Sequence, residues 1–188
     1  MGPAQAAGCD DRQLLALIRE GDLRAFEELY RCYHLRLSRF LINLLHRPQL
    51  VEEVLNDTMM VVWNKPASFR GDSRLSTWIF AIAYRKALKA LRRQDEPVED
   101  IEAFALACDD EGPDEQVRRH QVQRLLLDAI GELSADHRTV VDLTYFHEMG
   151  YREIAEIMDC PVDTVKTRMF HARRHLRRIL TSELGDWI

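Results

Sequence analysis

Gly150-Tyr-Arg-Glu-Ile-Ala-Glu-Ile-Met-Asp-Cys-Pro-Val-Asp-Thr-Val-Lys-Thr-Arg-Met-Phe-His-Ala-Arg-Arg-His-Leu-Arg-Arg-Ile-Leu180 decides the reading of this chain, because two helical periods meet in it across a break. Ile154, Ala155 and Met158 mark the apolar face of a first helix, and Asp159-Cys160-Pro161 interrupts the pattern. Pro161 is able to open a second helix, since its missing N–H would have no partner in the first turn. Val162, Val165, Met169, Ala172, Leu176 and Ile179 then recur at the helical steps of one buried stripe. The other face carries Thr164, Lys166, Thr167, Arg168, His171, Arg173, Arg174, Arg177 and Arg178.

One apolar stripe, an opposite face of cations and hydroxyls, and a tight turn at the entry make a helix-turn-helix DNA reader. Its second helix lies in the major groove, where Lys and Arg reach phosphates and guanine edges. The plain alternative is a solvated amphipathic helix whose cations only keep it soluble. The turn, the small Ala155 near the helix crossing and the one-signed charge together favour DNA. Nothing in the pattern says which DNA is read.

The formal net charge of −5 looks wrong for a nucleic-acid binder until it is located. Asp95, Glu96, Glu99, Asp100, Glu102, Asp109, Asp110, Glu111, Asp114 and Glu115 fall in a segment with no Lys or Arg. Setting these ten aside turns −5 into +5 for the remainder. The segment, with Pro97, Gly112 and Pro113, reads as an acidic linker over 95–116. At 188 residues the chain suits one large domain or two small ones, and the linker divides it. No run approaches a membrane span and the N-terminus lacks an apolar signal core, so no membrane insertion and a cytoplasmic location are expected. Cys9, Cys32, Cys108 and Cys160 share no metal-like or disulfide-like spacing, which predicts free thiols, no metal and no cofactor.

Outward from the turn the chain reads as all-α. Residues 1–9 are small, polar and predicted to be disordered. Asp10 or Asp11 caps a helix carrying Leu14, Leu15, Leu17 and Ile18, and Gly21 ends it. Asp22 caps a long helix with Phe26, Leu29, Tyr33, Leu37, Phe40 and Leu44 buried, closed by Pro48. A third helix is predicted from about Leu50 to Asn64, and a loop around Gly71 feeds a fourth from Thr77-Trp78 to Arg93. That fourth helix is basic and its entry is aromatic, through Phe69, Trp78, Phe80 and Tyr84. Aromatic faces among cations suit unstacked bases and phosphates, while the ordinary reading makes Trp78 and Phe80 core anchors. Past the linker, Val117 to Leu133 forms a helix and Ser134 caps the next. The expected organisation is two small helical domains, 10–94 and 117–188, joined by the linker.

These residues resemble a family, the RNA polymerase sigma factors of the extracytoplasmic-function type (group IV of the sigma-70 family). The N-terminal half is similar through Ala25-Phe-Glu-Glu-Leu-Tyr30, Asp57-Thr58, Val62-Trp63 and Phe69-Arg-Gly-Asp-Ser-Arg-Leu-Ser-Thr-Trp78. The C-terminal half is similar through Leu133-Ser-Ala-Asp-His-Arg-Thr-Val-Val141, Tyr151-Arg-Glu-Ile-Ala155 and Cys160-Pro-Val-Asp-Thr-Val-Lys-Thr-Arg168. The resemblance implies a transcription initiation factor that is not an enzyme. Its partners would be core RNA polymerase, through the β′ clamp helices and the β flap, double-stranded promoter DNA and the melted single strand. By position, Glu52, Glu53, Asn56 and Asp57 match the surface that docks on the β′ clamp helices. Arg70, Ser73, Arg74, Ser76, Thr77, Trp78, Arg85, Lys89 and Arg92 match the segment that captures a −10 base and holds the opened strand. Thr164, Lys166, Thr167, Phe170 and His171 fall on the −35-reading surface, with Arg168, Arg173 and Arg174 as phosphate partners.

The chain departs from the family pattern twice. Leu50-Val51-Glu52-Glu53 stands where many members have Asp-Ala-Glu-Asp, so one acid is missing from the clamp-binding surface. In one subgroup a phosphorylated threonine restores such charge, which makes Thr58 the candidate phosphorylation site; a phosphate adds about −1.5 to −2 charges. The regulator is then either an anti-sigma factor or a Ser/Thr protein kinase. Arg85 stands where many members have Asn facing DNA, which predicts an unusual −10 preference or a more electrostatic strand contact. The competing function is a stand-alone helix-turn-helix regulator. An enzyme is a distant third, because no phosphate loop or nucleophile–base pair is found.

Overall fold

Local capping chemistry sets the boundaries of the first helices. The computed structural model describes residues 10–93 and 125–185, with side chains through Thr181. Helix α1 spans Asp11–Arg19; Asp10 caps it, its carboxylate accepting from the N–H groups of Arg12 and Gln13. Gly21 then takes φ +86°, a left-handed conformation without penalty only for glycine. Asp22 caps α2, Leu23–Leu45, by accepting from Arg24 and Ala25. The long helix stops at His46, which turns left-handed with φ 54° and donates its N–H to Ile42. Pro48 therefore does not close α2, as the sequence suggested. It is the first residue of α3, Pro48–Asn64, where it needs no donor.

A single 3₁₀ turn, Pro66–Ser68, and a bend around Gly71 lead into α4, Leu75–Arg93, which starts slightly before the predicted Thr77. Residues 125–131 form helix α5. Ser134 caps α6, Ala135–Tyr145, by accepting from the His137 N–H. Helix α7, Tyr151–Met158, is opened at Gly150, whose N–H donates to the Glu153 carboxylate at 2.9 Å. Asp159 ends it in the left-handed region and the Cys160 N–H donates to Ala155. Helix α8, Val162–Gly185, follows. Pro161 serves as its cap, its carbonyl accepting from Thr164 and Val165, so it lies one position outside the helix rather than opening it. No strand occurs among the described residues.

The predicted linker 95–116, the start of the helix expected at Val117 and residues 1–9 lie outside the described residues. Cys160 is a free thiol, but Cys32 is disulfide-bonded, against the expectation that all the cysteines are free.

Core formation follows the stripes. Leu29, Leu37, Phe40 and Leu41 of α2 meet Leu55, Met59 and Val62 of α3 and Ile79, Phe80 and Ala83 of α4, all essentially sealed from solvent. Val140, Leu143, Ile154, Ile157, Val165 and Ala172 do the same for α6, α7 and α8. The two groups belong to one continuous buried cluster. Phe80 stands where they join, its ring 5.2 Å from Phe40 and 4.9 Å from His147.

Truncating Phe80 removes a fully buried ring from that junction. Phe80→Ala is expected to lower unfolding stability by about 3–5 kcal/mol in urea denaturation. Asp22→Ala, which only uncaps α2, is expected to cost about 1 kcal/mol by the same measurement.

Candidate nucleic-acid and polymerase interfaces

The acidic surface comes from helical spacing alone. On α3, Val51, Val54, Leu55 and Thr58 are buried, which leaves Glu52, Glu53, Asn56 and Asp57 together on the outer face. Asn56 accepts from the Tyr30 hydroxyl at 3.1 Å, and Asp57 pairs with Lys86 of α4 at 2.9 Å. The Glu52 charge also reaches Tyr30, whose hydroxyl loses its proton less readily than usual, through burial first and Glu52 second. All four predicted residues are thus exposed on one face, with Asp57 partly neutralised.

Thr58 does not fit its candidate role. It is 0% exposed and its hydroxyl donates to the Val54 carbonyl at 2.7 Å. A kinase cannot reach a hydroxyl inside the α3 core, and a phosphate there would be a buried charge with no partner. The same spacing that exposes Asp57 turns its neighbour inward.

The 69–78 loop is pinned at both ends. Arg19 donates to the Phe69 carbonyl at 2.9 Å, and the Phe69 and Trp78 rings pack with centroids 5.4 Å apart. Arg70 and Arg74 are exposed, Ser73, Ser76 and Trp78 are half-buried, and Arg85, Lys89 and Arg92 line one solvent face of α4. Thr77 is the exception, because it is fully buried. Its hydroxyl donates to Glu153 of α7 at 3.1 Å, and the same carboxylate oxygen lies 3.6 Å from Arg74 Nε. Thr77 therefore touches the other helix group rather than offering a free surface to DNA. Between the loop and α7 lies a cleft of ≈960 Å³ walled in part by Arg19, Arg70, Arg74, Arg152 and Glu156.

Helix α8 presents most of its predicted face to solvent. Lys166, Thr167, Phe170, His171, Arg173 and Arg174 are exposed, Phe170 at 63%. Lys166 pairs with Asp163 at 2.9 Å within its own helix. Arg173 turns toward α6, donating to the Tyr145 hydroxyl at 3.1 Å with its guanidinium over that ring. Thr164 is half-buried. Arg168 corrects its assignment as a phosphate partner: it is half-buried and paired with Asp136 of α6, close to the Cys160 sulfur. Its charge is used to hold α8 against α6.

Behind that face, Leu126, Ile130, Tyr145, Phe146, Leu176 and Leu180 line an open apolar groove of ≈790 Å³. Leu126, Tyr145 and Phe146 stay substantially exposed there, which marks an interaction surface.

Several residues that bring the helix groups together were invisible in the sequence. The α6–α7 turn carries His147, 8% exposed, edge-on to the Phe80 and Phe40 rings. Asp142 lies 3.4 Å from His147 and accepts from Asn43 of α2 at 2.7 Å. Arg138 of α6 contacts the His46 ring at the end of α2 and donates to the carbonyls of Gly131 and Leu133. Asn43 and Asp142 are 99 residues apart, and no local pattern links them.

Among the described residues, no group of three His, Cys, Asp or Glu is placed to hold a metal ion, and no helix is long and apolar enough to cross a membrane.

Comparison with known proteins bears on both helix groups. The family model for sigma-70 region 2 matches residues 29–96, and that for sigma-70 region 4 matches residues 123–176. The RNA polymerase sigma-H factor of Pseudomonas aeruginosa is 32% identical over 186 residues, covering 94% of this chain and 96% of that protein. The ECF RNA polymerase sigma-E factor of Haemophilus influenzae is 30% identical over 173 residues, covering 87% and 91%. Among solved structures, the sigma factor RpoE of Bartonella quintana in complex with the anti-sigma factor NepR superposes with a TM-score of 0.65 at 26% identity, over 85% of this chain and 98% of that one. CnrH, solved with the cytosolic domain of CnrY, shares the fold, with a TM-score of 0.66 at 23% identity over 92% and 97%.

Replacing the Asn43 amide with a carboxylate sets like charges against each other at the Asp142 contact. Asn43→Asp is expected to separate the helix groups, enlarging the radius of gyration in X-ray scattering and raising amide exchange around Thr77 and Glu153. The effect of one buried like-charge contact is about 2 kcal/mol or more. An unchanged radius and unchanged exchange would show that this contact does not hold the groups together.

Proposed function

This chain belongs to the sigma-70 family, as an extracytoplasmic-function RNA polymerase sigma factor that recognises promoters, and we propose how its surfaces divide that work. The outer face of α3, with Glu52, Glu53, Asn56 and Asp57, docks on the β′ clamp helices of core polymerase. A carboxylate-rich helix face suits a basic partner surface, and this one is exposed over its whole width. The apolar groove between α5, α6 and α8 takes an amphipathic helix of the β flap, laid in by its apolar stripe.

DNA is met by the other surfaces. Lys166, Thr167, Phe170, His171 and Arg174 of α8 enter the major groove at the −35 element, with phosphates on either side. Arg70, Ser73, Arg74, Ser76 and Trp78 hold a −10 base lifted from the stack, and Arg85, Lys89 and Arg92 carry the backbone of the opened strand. Thr77 joins them once Glu153 withdraws. The protein supplies binding energy and positioning only, with no covalent step and no cofactor. The observation that carries this reading is the simultaneous presence of an exposed acidic face on α3 and an exposed basic face on α8 in one chain. A stand-alone regulator would have no use for the first.

The regulator we propose is an anti-sigma protein rather than a kinase. The burial of Thr58 speaks against phosphorylation at that residue, and the RpoE neighbour was solved with such a partner.

Reversing the α3 charges tests the assignment. Glu52→Lys with Asp57→Lys is expected to cut core-polymerase affinity by about tenfold or more, the equivalent of ~1.4 kcal/mol. Promoter-specific runoff transcription should fall with it while the helix content of the free protein is unchanged. Full runoff activity in the variant would remove α3 from the polymerase interface.

A further inference from the structure

Beside the exposed face of α8 lies a cleft of ≈540 Å³, bounded by the turn at Glu132–Ser134, the start of α6 and the second half of α8. Three of its lining residues are histidines, His137, His171 and His175, and Arg174 and Arg178 line it with them. A second hollow of ≈340 Å³ shares His137 and His171 and reaches Thr164 and Thr167. The His137 and His171 ring centroids are 6.2 Å apart. His175 lies between opposite charges, 3.7 Å from Glu132 Oε2 and 3.4 Å from Arg178 Nη2.

We propose that this histidine-lined cleft is a phosphate subsite for the DNA backbone, lined by His175 and Arg174, in which His137 becomes a charged donor as the duplex arrives. The proposal rests on α8 being the major-groove reader. A helix in that groove has a phosphate strand along each flank, and the cleft opens on one flank of α8. A neutral imidazole offers such a phosphate one donor; a protonated one offers two donors and a charge.

The surroundings fix the direction of the coupling. The charged and titratable groups around the cleft are Glu132 on the α5–α6 turn, Asp136 and Arg138 on α6, Cys160 on the turn before α8, and Asp163, Arg168, His171, Arg174 and Arg178 on α8. In the free protein burial holds His137 below the ordinary histidine value; His171 lowers it next, Asp136 pulls it back up, and Arg168 and His175 lower it further. An arriving phosphate adds a negative charge to this cationic wall and favours the protonated ring. The proton affinity therefore rises on binding. The contact is fully present below the free-state value and is lost as pH climbs through the bound-state value, so DNA affinity falls with rising pH around the histidine range.

The test uses the full-length chain and a fluorescently labelled duplex of arbitrary sequence, because backbone phosphates are sequence-independent. From about pH 6 to about pH 8, wild-type affinity is expected to fall by up to about tenfold per pH unit for each proton released. His137→Gln with His175→Gln should bind weakly throughout with a flattened slope. Histidine ring resonances of the wild type, followed by NMR with and without duplex, should show His137 titrating at higher pH when DNA is bound. An equal slope in wild type and double variant, or a His137 titration that DNA does not move, overturns the subsite alone. Failure of the wild type to bind duplex at any pH removes α8 as the DNA reader, and the subsite with it.

Discussion

The rest of the structure depends on a histidine delivered by the turn of one helix group into the aromatic core of the other. His147 lies edge-on to Phe80 and Phe40, almost sealed from water. The ring is held mainly by aromatic packing: Asp142 Oδ2 approaches Nε2 to 3.4 Å without a hydrogen bond, and only the other carboxylate oxygen is satisfied, by Asn43. The partners come from three helices, Phe40 and Asn43 from α2, Phe80 from α4 and Asp142 from α6, so the contact fixes both distance and rotation between them. Apolar packing alone would be less specific, since smooth surfaces slide with little change in buried area.

Docked in this way, the molecule treats its surfaces unequally. The acidic face of α3 and the basic face of α8 both point outward. The 69–78 loop, proposed to hold the melted strand, is different, because α7 covers its far end. Glu153 accepts from Thr77 and lies beside Arg74, the donors that a DNA phosphate would use, while its second oxygen caps its own helix at Gly150. One carboxylate thereby stabilises the fold of α7 and engages two residues of the proposed −10 surface.

Helix faces account for what was readable in advance. The centre of each predicted stripe is buried, although Leu17, Phe26, Val162, Leu176 and Ile179 at stripe edges are only half-buried. The alternation on α3 that leaves Glu52, Glu53, Asn56 and Asp57 outside is the alternation in the sequence. The same logic, carried to Thr58 by resemblance alone, failed: position along a helix says which side a residue is on, and Thr58 is on the inner side. Arg168 failed for another reason. On α8 it belongs to the cationic face by count, but the neighbouring α6 brings Asp136 to it, which no reading of one helix could foresee.

What the sequence determined by itself is therefore the set of helices, their caps at Asp22 and Ser134, and the split between apolar and charged faces. Those features depend on hydrogen bonds and side-chain neighbours within a few residues along the chain. Only the tertiary structure decided that Asn43 meets Asp142 and Thr77 meets Glu153, across 99 and 76 residues. The physical reason is that such pairs follow from how two separately patterned helix groups fit together, and shape complementarity between distant surfaces leaves no periodic trace in either one.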